Sequence, residues 1–411
     1  MFSTYSDFIN DKHNNRLAIN LLQDGVVRSW NCRPSFDLVP TYVSAGADIV
    51  IKICSGVSCL YAVTASGRVV EWVPVLTQMP YCFKAVRPVI DLVLNGYTTG
   101  TSIKMVAGSG YILIAFGRTV AKLRRNEYAS TVMYRTFEHE IEEISGGTSH
   151  GFVRTASELH SFGENRYQEC GRTVSDLTVR DWYEVAFAQI RNIREIVCGE
   201  CSTFIILNDG SVWACGQYHS TRDKVYVCVL FPKGEPVRDV IISLCFIFYI
   251  TETGLCYYAQ SSVAGTILHY FKSEITDPVQ IQFLSGYFIE RIYILFTVVV
   301  FQYDGGKLLM VHLVPDRTRT AIIDSAYESG ALKPVRLDAF DDGCVCDISQ
   351  VGDYLYLTTE AGQVYYCECG RGADGSQADM ITFFDDNPAV VDRDGCCRVR
   401  SAGSDMGVSQ C

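Results

Sequence analysis

The stretch IREIVCGECSTFIILNDGSVWACG, residues 193–216, reads as three short strands in succession. Ile193, Ile196 and Val197 supply the apolar positions of the first, which stops at Gly199. Residues 203–207 (TFIIL) form an apolar, partly β-branched run. Asn208-Asp209-Gly210 then provides small residues that tolerate positive φ and close a tight hairpin. Residues 212–215 leave that turn as the third strand and break at Gly216. A helix would need apolar residues at spacings of three and four over a dozen positions, and this stretch has no such pattern.

The same unit recurs along the chain. Residues 47–72 form a complete copy with a Ser66-Gly67 turn. Residues 89–117 read as another, with Gly96 after the first strand and Gly108-Ser109-Gly110 at the hairpin, and 141–163 is among the cleanest. Copies follow at 237–260, 279–312 and 345–367, with turns at Thr253-Gly254, Asp304-Gly305-Gly306 and Ala361-Gly362. Residues 17–30 hold the second and third strands without the first, whereas 398–408 (RVRSAGSDMGV) hold only a first strand and its glycine. Small antiparallel sheets of this kind cannot bury both faces alone, so copies must stack, and a ring leaves no unpaired end. The split unit predicts that the N- and C-terminal strands share one sheet and close the ring. Gly25, Gly67, Gly110, Gly210, Gly254, Gly305 and Gly362, with the Ser157 position, give eight hairpin signals at about 51 residues each, close to propeller repeats of roughly 40 to 50 residues. The expectation is an all-β closed propeller, one domain over residues 1–411.

Composition fits. Apolar residues make up 48% and charged residues 20%, with 24 Tyr and 21 Phe, enough to fill a large core of pleated sheet. A net charge of −11 disfavours nucleic-acid binding, because the protein as a whole does not attract a phosphate backbone. Arg118, Lys122, Arg124 and Arg125 form a local basic grouping, which reads as a solvated strand and loop. No secretory signal is visible in residues 1–20, and the most apolar run, 292–301, is about half a membrane span and reads as a buried strand. Many of the 18 cysteines sit inside apolar strands, where a free thiol packs as a small hydrophobe, so they read as reduced and the protein as cytoplasmic or nuclear.

Two copies carry a more specific signature. ISGGTSHGFVRTASELHSFGENRYQECG, residues 144–171, resembles the regulator-of-chromosome-condensation (RCC1) repeat, through Gly146, Gly147, His150, Gly163, Asn165, Tyr167, Gln168 and Gly171. VCGECSTFIILNDGSVWACGQ repeats it with Gly199, Gly210, Trp213 and Gly216. The resemblance implies a seven-bladed propeller closed by strands from both termini, against the eight hairpins counted. It also implies a structural role for His150, hydrogen-bonded to neighbouring backbone. The family's founding member is an exchange factor for the small GTPase Ran, while many relatives are scaffolds. This chain lacks that member's basic N-terminal tail and its long wedge-like insertion.

No reactive constellation emerges. Cys198-Gly-Glu-Cys201 has the spacing of half a zinc site or a redox pair but lacks a second pair or a βαβ setting. Cys344, Cys346, Cys367, Cys369, Cys396, Cys397 and Cys411 crowd the C-terminal region, and acidic runs lie at 338–342 and 385–394. His160 and His219 have no nucleophile arranged beside them, and no phosphate-binding glycine loop occurs. The reading is therefore a non-catalytic interaction module with no cofactor and no metal. Its partner is a protein, with a Ran-like GTPase, acted on by nucleotide exchange, as the alternative. Specificity in such a fold belongs to connections, and the aromatic and basic segment holding Arg180, Trp182 and Tyr183 is the expected anchor, unless Trp182 packs under the rim.

Overall fold

The computed structural model describes residues 5–10, 16–21, 27–31, 41–43, 49–55, 60–75, 82–108, 110–125, 130–172, 178–216, 226–229, 231, 234–242, 246–260, 278–294, 298–312, 335–337, 345–351, 354–359, 364–368, 380–383, 388–390 and 396–397. Over these residues the chain forms eight sheets, spanning 5–43, 50–91, 103–136, 141–184, 193–229, 237–280, 289–337 and 345–390. Each is an antiparallel meander of four strands in chain order. The seventh gains Cys396–Cys397, parallel to Val335–Leu337, and the eighth a fifth strand, Pro388–Val390. The eight hairpin signals thus correspond to eight sheets, one more than the family resemblance implies.

First strands of successive sheets lie side by side. Val50–Ser55 meets Ile103–Gly108, which meets Ile141–Gly146, and the series continues through Ile193–Cys198, Val237–Ile242 and Ile289–Ile294. Tyr5–Asn10 lies against Val50–Ser55 on one side and Val345–Val351 on the other. The segment 398–408 lies outside the described residues; the first sheet takes its four strands from 5–43, with Tyr5–Asn10 in the place that segment was expected to fill.

Stacking explains why second strands read as continuous apolar runs. Tyr111–Phe116, Ser202–Leu207 and Val298–Tyr303 are buried at all six positions, because both faces of each sheet are covered. Alternate residues serve opposite neighbours. Ile112, Ile114 and Phe116 pack with Tyr61, Val63 and Val69 of the second sheet, whereas Tyr111, Leu113 and Ala115 pack with Val153 and Phe162 of the fourth. Each such side chain contributes about 1.5–3 kcal/mol by leaving water.

The first strands solve a phase problem. Ile193 and Ile196 are three apart, as are Val237 and Val240 and Ile289 and Ile292, a spacing that points to opposite faces of a regular strand. Each pair nevertheless packs into one core. A β-bulge between the first and third residues inserts one position and restores the phase; it recurs at Val50/Lys52, Ile141/Glu143, Ile193/Glu195, Val237/Asp239, Ile289/Arg291 and Val345/Asp347. The bulge leaves carbonyls outside the ladder, and the preceding sheet caps them. Lys104 Nζ donates to Ile141 O at 3.1 Å, Arg194 to the carbonyls of Val237 and Arg238, and Arg238 to those of Ile289 and Glu290. Where the bulge residue is Glu290, which cannot donate, Gln302 Nε2 donates to Val345 O at 3.0 Å instead.

Hairpin glycines supply a second link. Positive φ at Gly117, Gly210 and Gly254 leaves their carbonyls to accept from the N–H groups of Ile141, Val237 and Ile289, the first residue of the next sheet.

Two copies are framed differently from the sequence reading. Residues 89–91 end the outer strand Cys82–Asp91 of the second sheet, and Gly108–Gly110 joins the first and second strands of the third, whose repeat hairpin turns at Gly117. Likewise Val279–Gln280 is the outer strand of the sixth sheet, and the seventh starts at Ile289. The run 292–301 falls in two strands, Ile289–Ile294 and Val298–Tyr303. A 3₁₀ turn, Val93–Asn95, precedes Gly96 in the first of these copies, and Gln282–Leu284 lies between Val279–Gln280 and Ile289–Ile294 in the second.

Candidate partner-binding surface

The outer strand of the fourth sheet, Thr178–Glu184, pairs with Leu159–Glu164 and carries the three expected anchors. Strand alternation separates them. Trp182 turns inward, its ring 4.9 Å from that of Phe162 and 6.4 Å from that of Phe137. Lys122, fully buried, places Nζ 4.7 Å over Phe162 and 5.2 Å over Trp182, and Arg135 Nη1 donates to Trp182 O at 3.4 Å. Trp182 therefore packs under the rim and seals the third sheet to the fourth, and Lys122 belongs to that seam, which removes it from the basic grouping read in the sequence. The Arg180 side chain lies outside the described residues. Tyr183 faces the other way and is 46% exposed.

Against Tyr183 stands a residue the sequence reading passed over. The Arg172 guanidinium lies 4.6 Å above the Tyr183 ring. It follows directly on the signature loop of residues 165–171, whose conformation is fixed from several sides. Asn165 Oδ1 accepts from Cys170 N at 3.0 Å and its Nδ2 donates to Arg172 O at 3.4 Å. Glu169 Oε2 accepts from Tyr167 N at 2.7 Å, and its carbonyl accepts from Thr203 Oγ1 at 2.9 Å. Gln168 and Gly171 both have φ of 71°, and a Cβ at Gly171 would overlap Tyr226 Oη. The position after the signature glycine was the available signal for Arg172.

His150 lies in the interior, and its partner is a side chain where the resemblance implied neighbouring backbone. It is fully buried, with Nε2 2.7 Å from Thr203 Oγ1 of the fifth sheet, and burial lowers its pKa to about 4. Its carbonyl accepts from Tyr111 Oη of the third sheet at 2.7 Å, as does that of Gly147. Gly146 and Gly147 sit where a Cβ would overlap Val106 and the Gly199 carbonyl oxygen; Gly163 and Gly216, both at positive φ, sit against the backbone of residues 149–150 and 201–202. His160, its ring tilted against that of Phe137 with centroids 5.0 Å apart, keeps its Nε2 3.4 Å from Glu158 Oε2; burial, then Arg135, lowers its pKa.

The thiols are quiet. Cys54, Cys170, Cys198, Cys201, Cys215, Cys228 and Cys256 are free, and burial pushes Cys198 and Cys201 up to about 12, which suppresses the reactive thiolate. The C-terminal cysteine side chains and the aspartates of the acidic runs lie outside the described residues, as does His219. Among the described residues no group of three His, Cys, Asp or Glu side chains is arranged to hold a metal ion. A cleft of about 340 Å³ opens among the first strands of the second, third and fourth sheets, lined by Lys52, Lys104, Glu142 and Glu143. Glu143 is committed there to Arg154 Nε at 2.9 Å and Ile196 N at 2.7 Å, and burial raises its pKa in spite of those bonds. Among the described residues no helix is long and apolar enough to cross a membrane.

Compared with solved structures, the chain is similar to human WBSCR16, with a TM-score of 0.52 and 14% identity over 76% of this chain and 86% of that one. The fold resembles that of RCC1-like propellers. The computationally designed protein Ika8 aligns with a TM-score of 0.51 and 8% identity over 88% of this propeller and 96% of the design. Yeast RCC1 (Prp20), solved bound to Kap60, aligns at 0.45 with 16% identity over 67% and 75%. No protein-family model and no curated protein sequence matches the chain.

Proposed function

We propose that the chain is a non-catalytic interaction module, a closed ring of eight sheets over residues 1–411 that presents the rim of the fourth sheet to a protein partner inside the cell. The observation that carries this reading is the exposed Tyr183 with Arg172 stacked on it, on a strand and loop whose backbone is held by the fourth and fifth sheets. Aromatic and arginine side chains on a rigid support are the usual anchors of interfaces, because they bury large area at low entropic cost. Placement of Tyr5–Asn10 between the second and eighth sheets supports closure.

Nucleotide exchange on a Ran-like GTPase is the second reading, favoured by the repeat signature around Gly146, Gly147 and His150. Exchange requires no nucleophile or metal, so it is separated from the first reading by activity alone. Purified protein mixed with a Ran-like GTPase loaded with fluorescent nucleotide is expected to leave the release rate unchanged. Acceleration that depends on the concentration of this protein would replace the scaffold reading with exchange.

A further inference from the structure

We infer that Arg172, held on the face of Tyr183, is the recognition point for a single carboxylate of the protein partner, an aspartate or glutamate side chain flanked by apolar residues. This rests on the reading of the fourth sheet's rim as the partner surface and names the chemistry it would take.

The other well-placed arginines of this half of the molecule are spent internally. Arg154 holds Glu142 and Glu143, Arg194 pairs with Glu252 and caps two carbonyls, Arg238 pairs with Asp239 and caps two more, and Arg135 donates to Trp182 O. Arg172 stacks on Tyr183 and enters none of these bonds or ion pairs; its Nε is buried without a hydrogen-bond partner among the described residues, so the Nη groups are the donors offered to a partner. A guanidinium stacked on an aromatic ring keeps its in-plane donors open and loses little freedom when a planar acceptor arrives, which is the geometry of bidentate carboxylate binding. The surroundings set the charge of that acceptor. Glu184 is exposed beside Tyr183, Glu164 is 45% exposed on the neighbouring strand, and the chain carries −11 overall. A singly charged carboxylate meets less repulsion there than a phosphate dianion or a long acidic run, and the exposed Tyr183 ring favours an apolar residue next to it.

The test uses the full chain and a blocked, fluorescently labelled pentapeptide with one glutamate between two leucines, beside versions carrying glutamine or phosphoserine at the centre. Binding is followed by anisotropy. The glutamate peptide is expected to bind roughly five-fold or more tighter than the glutamine peptide. Arg172→Gln should erase that difference, and Arg172→Lys, which keeps the charge but not the fork or the stack, should restore only part of it; circular dichroism confirms that both variants are folded. Absence of measurable binding to the wild type, equal binding of glutamate and glutamine peptides, retained discrimination in Arg172→Gln, or preference for phosphoserine would each overturn the assignment. None of these outcomes bears on nucleotide release, so the exchange assay judges the broader reading separately.

Discussion

His150 Nε2 and Thr203 Oγ1 meet at 2.7 Å across the boundary between the fourth and fifth sheets, and the bond fixes both partners. The Thr203 hydroxyl gives its one proton to Glu169 O at 2.9 Å, so the histidine nitrogen must be the donor and the ring carries its proton on Nε2. Thr203→Val removes the acceptor and leaves a buried N–H unpaired. The expected cost is about 1–3 kcal/mol, read as a lower denaturation midpoint, with Thr203→Ser retaining most of the stability. Nitrogen NMR should show the Nε2–H tautomer in the wild type.

The same burial makes stability depend on pH in a predictable direction. The folded-state pKa of His150, about 4, lies below its unfolded value near 6.5, so the unfolded chain binds more protons between those limits. The contribution is fully present above pH 6.5 and is lost as pH falls toward 4, amounting to on the order of 3 kcal/mol. Glu143, Glu169 and Glu195, whose pKa values are raised, act in the opposite sense near the carboxylate range. The comparison of wild type with His150→Gln isolates the histidine: the wild type should lose more stability than the variant between pH 6.5 and 4.5, and parallel curves would contradict the assignment.

Glycine positions should divide sharply. A Cβ at Gly147 would overlap the Gly199 carbonyl oxygen, which is backbone and cannot move aside cheaply, whereas nothing lies near the Cβ direction of Gly286. Gly147→Ala should cost roughly 1–3 kcal/mol or more, while Gly286→Ala should fall within about 0.5 kcal/mol of the wild type. Thermal melts of the two variants side by side decide it.

Arg194 caps the bulge carbonyls of the sixth sheet and pairs with Glu252 at 3.0 Å. Arg194→Met keeps the apolar stem and removes the donors, with an expected loss of about 1–3 kcal/mol. Hydrogen exchange should rise at amides of Val237–Ile242 before it rises at Ile103–Gly108, three sheets away. Uniform acceleration over both strands would show that the cap acts globally and not at the bulge.

Much of this architecture was legible in the sequence, and the failures have physical causes. Hairpin turns are marked by glycine because the backbone there needs positive φ, and so Gly67, Gly210 and Gly254 located their sheets correctly. Gly96 has positive φ as well, but in a 3₁₀ turn between sheets, and a glycine cannot announce which kind of turn it serves. The spacing of Ile193 and Ile196 carried the bulge, yet a bulge shows itself only when the partner strand is known. At the rim, alternation along Thr178–Glu184 sends Trp182 inward and Tyr183 outward, which no composition rule distinguishes. Arg172 escaped notice because its stacking partner is eleven positions away and the loop that aims it is set by contacts with the fifth sheet.

Ring closure is tested most directly at Tyr5–Asn10, which lies against both Val50–Ser55 and Val345–Val351. A photo-cross-linking amino acid is placed in turn at Asp7 and Phe8, so that both faces of the strand are sampled, and the irradiated protein is digested and analysed by mass spectrometry. A closed ring gives intramolecular cross-links to peptides containing 50–55 and to peptides containing 345–351. Cross-links to 50–55 alone, from either position, would mean an open array of sheets and would contradict the propeller.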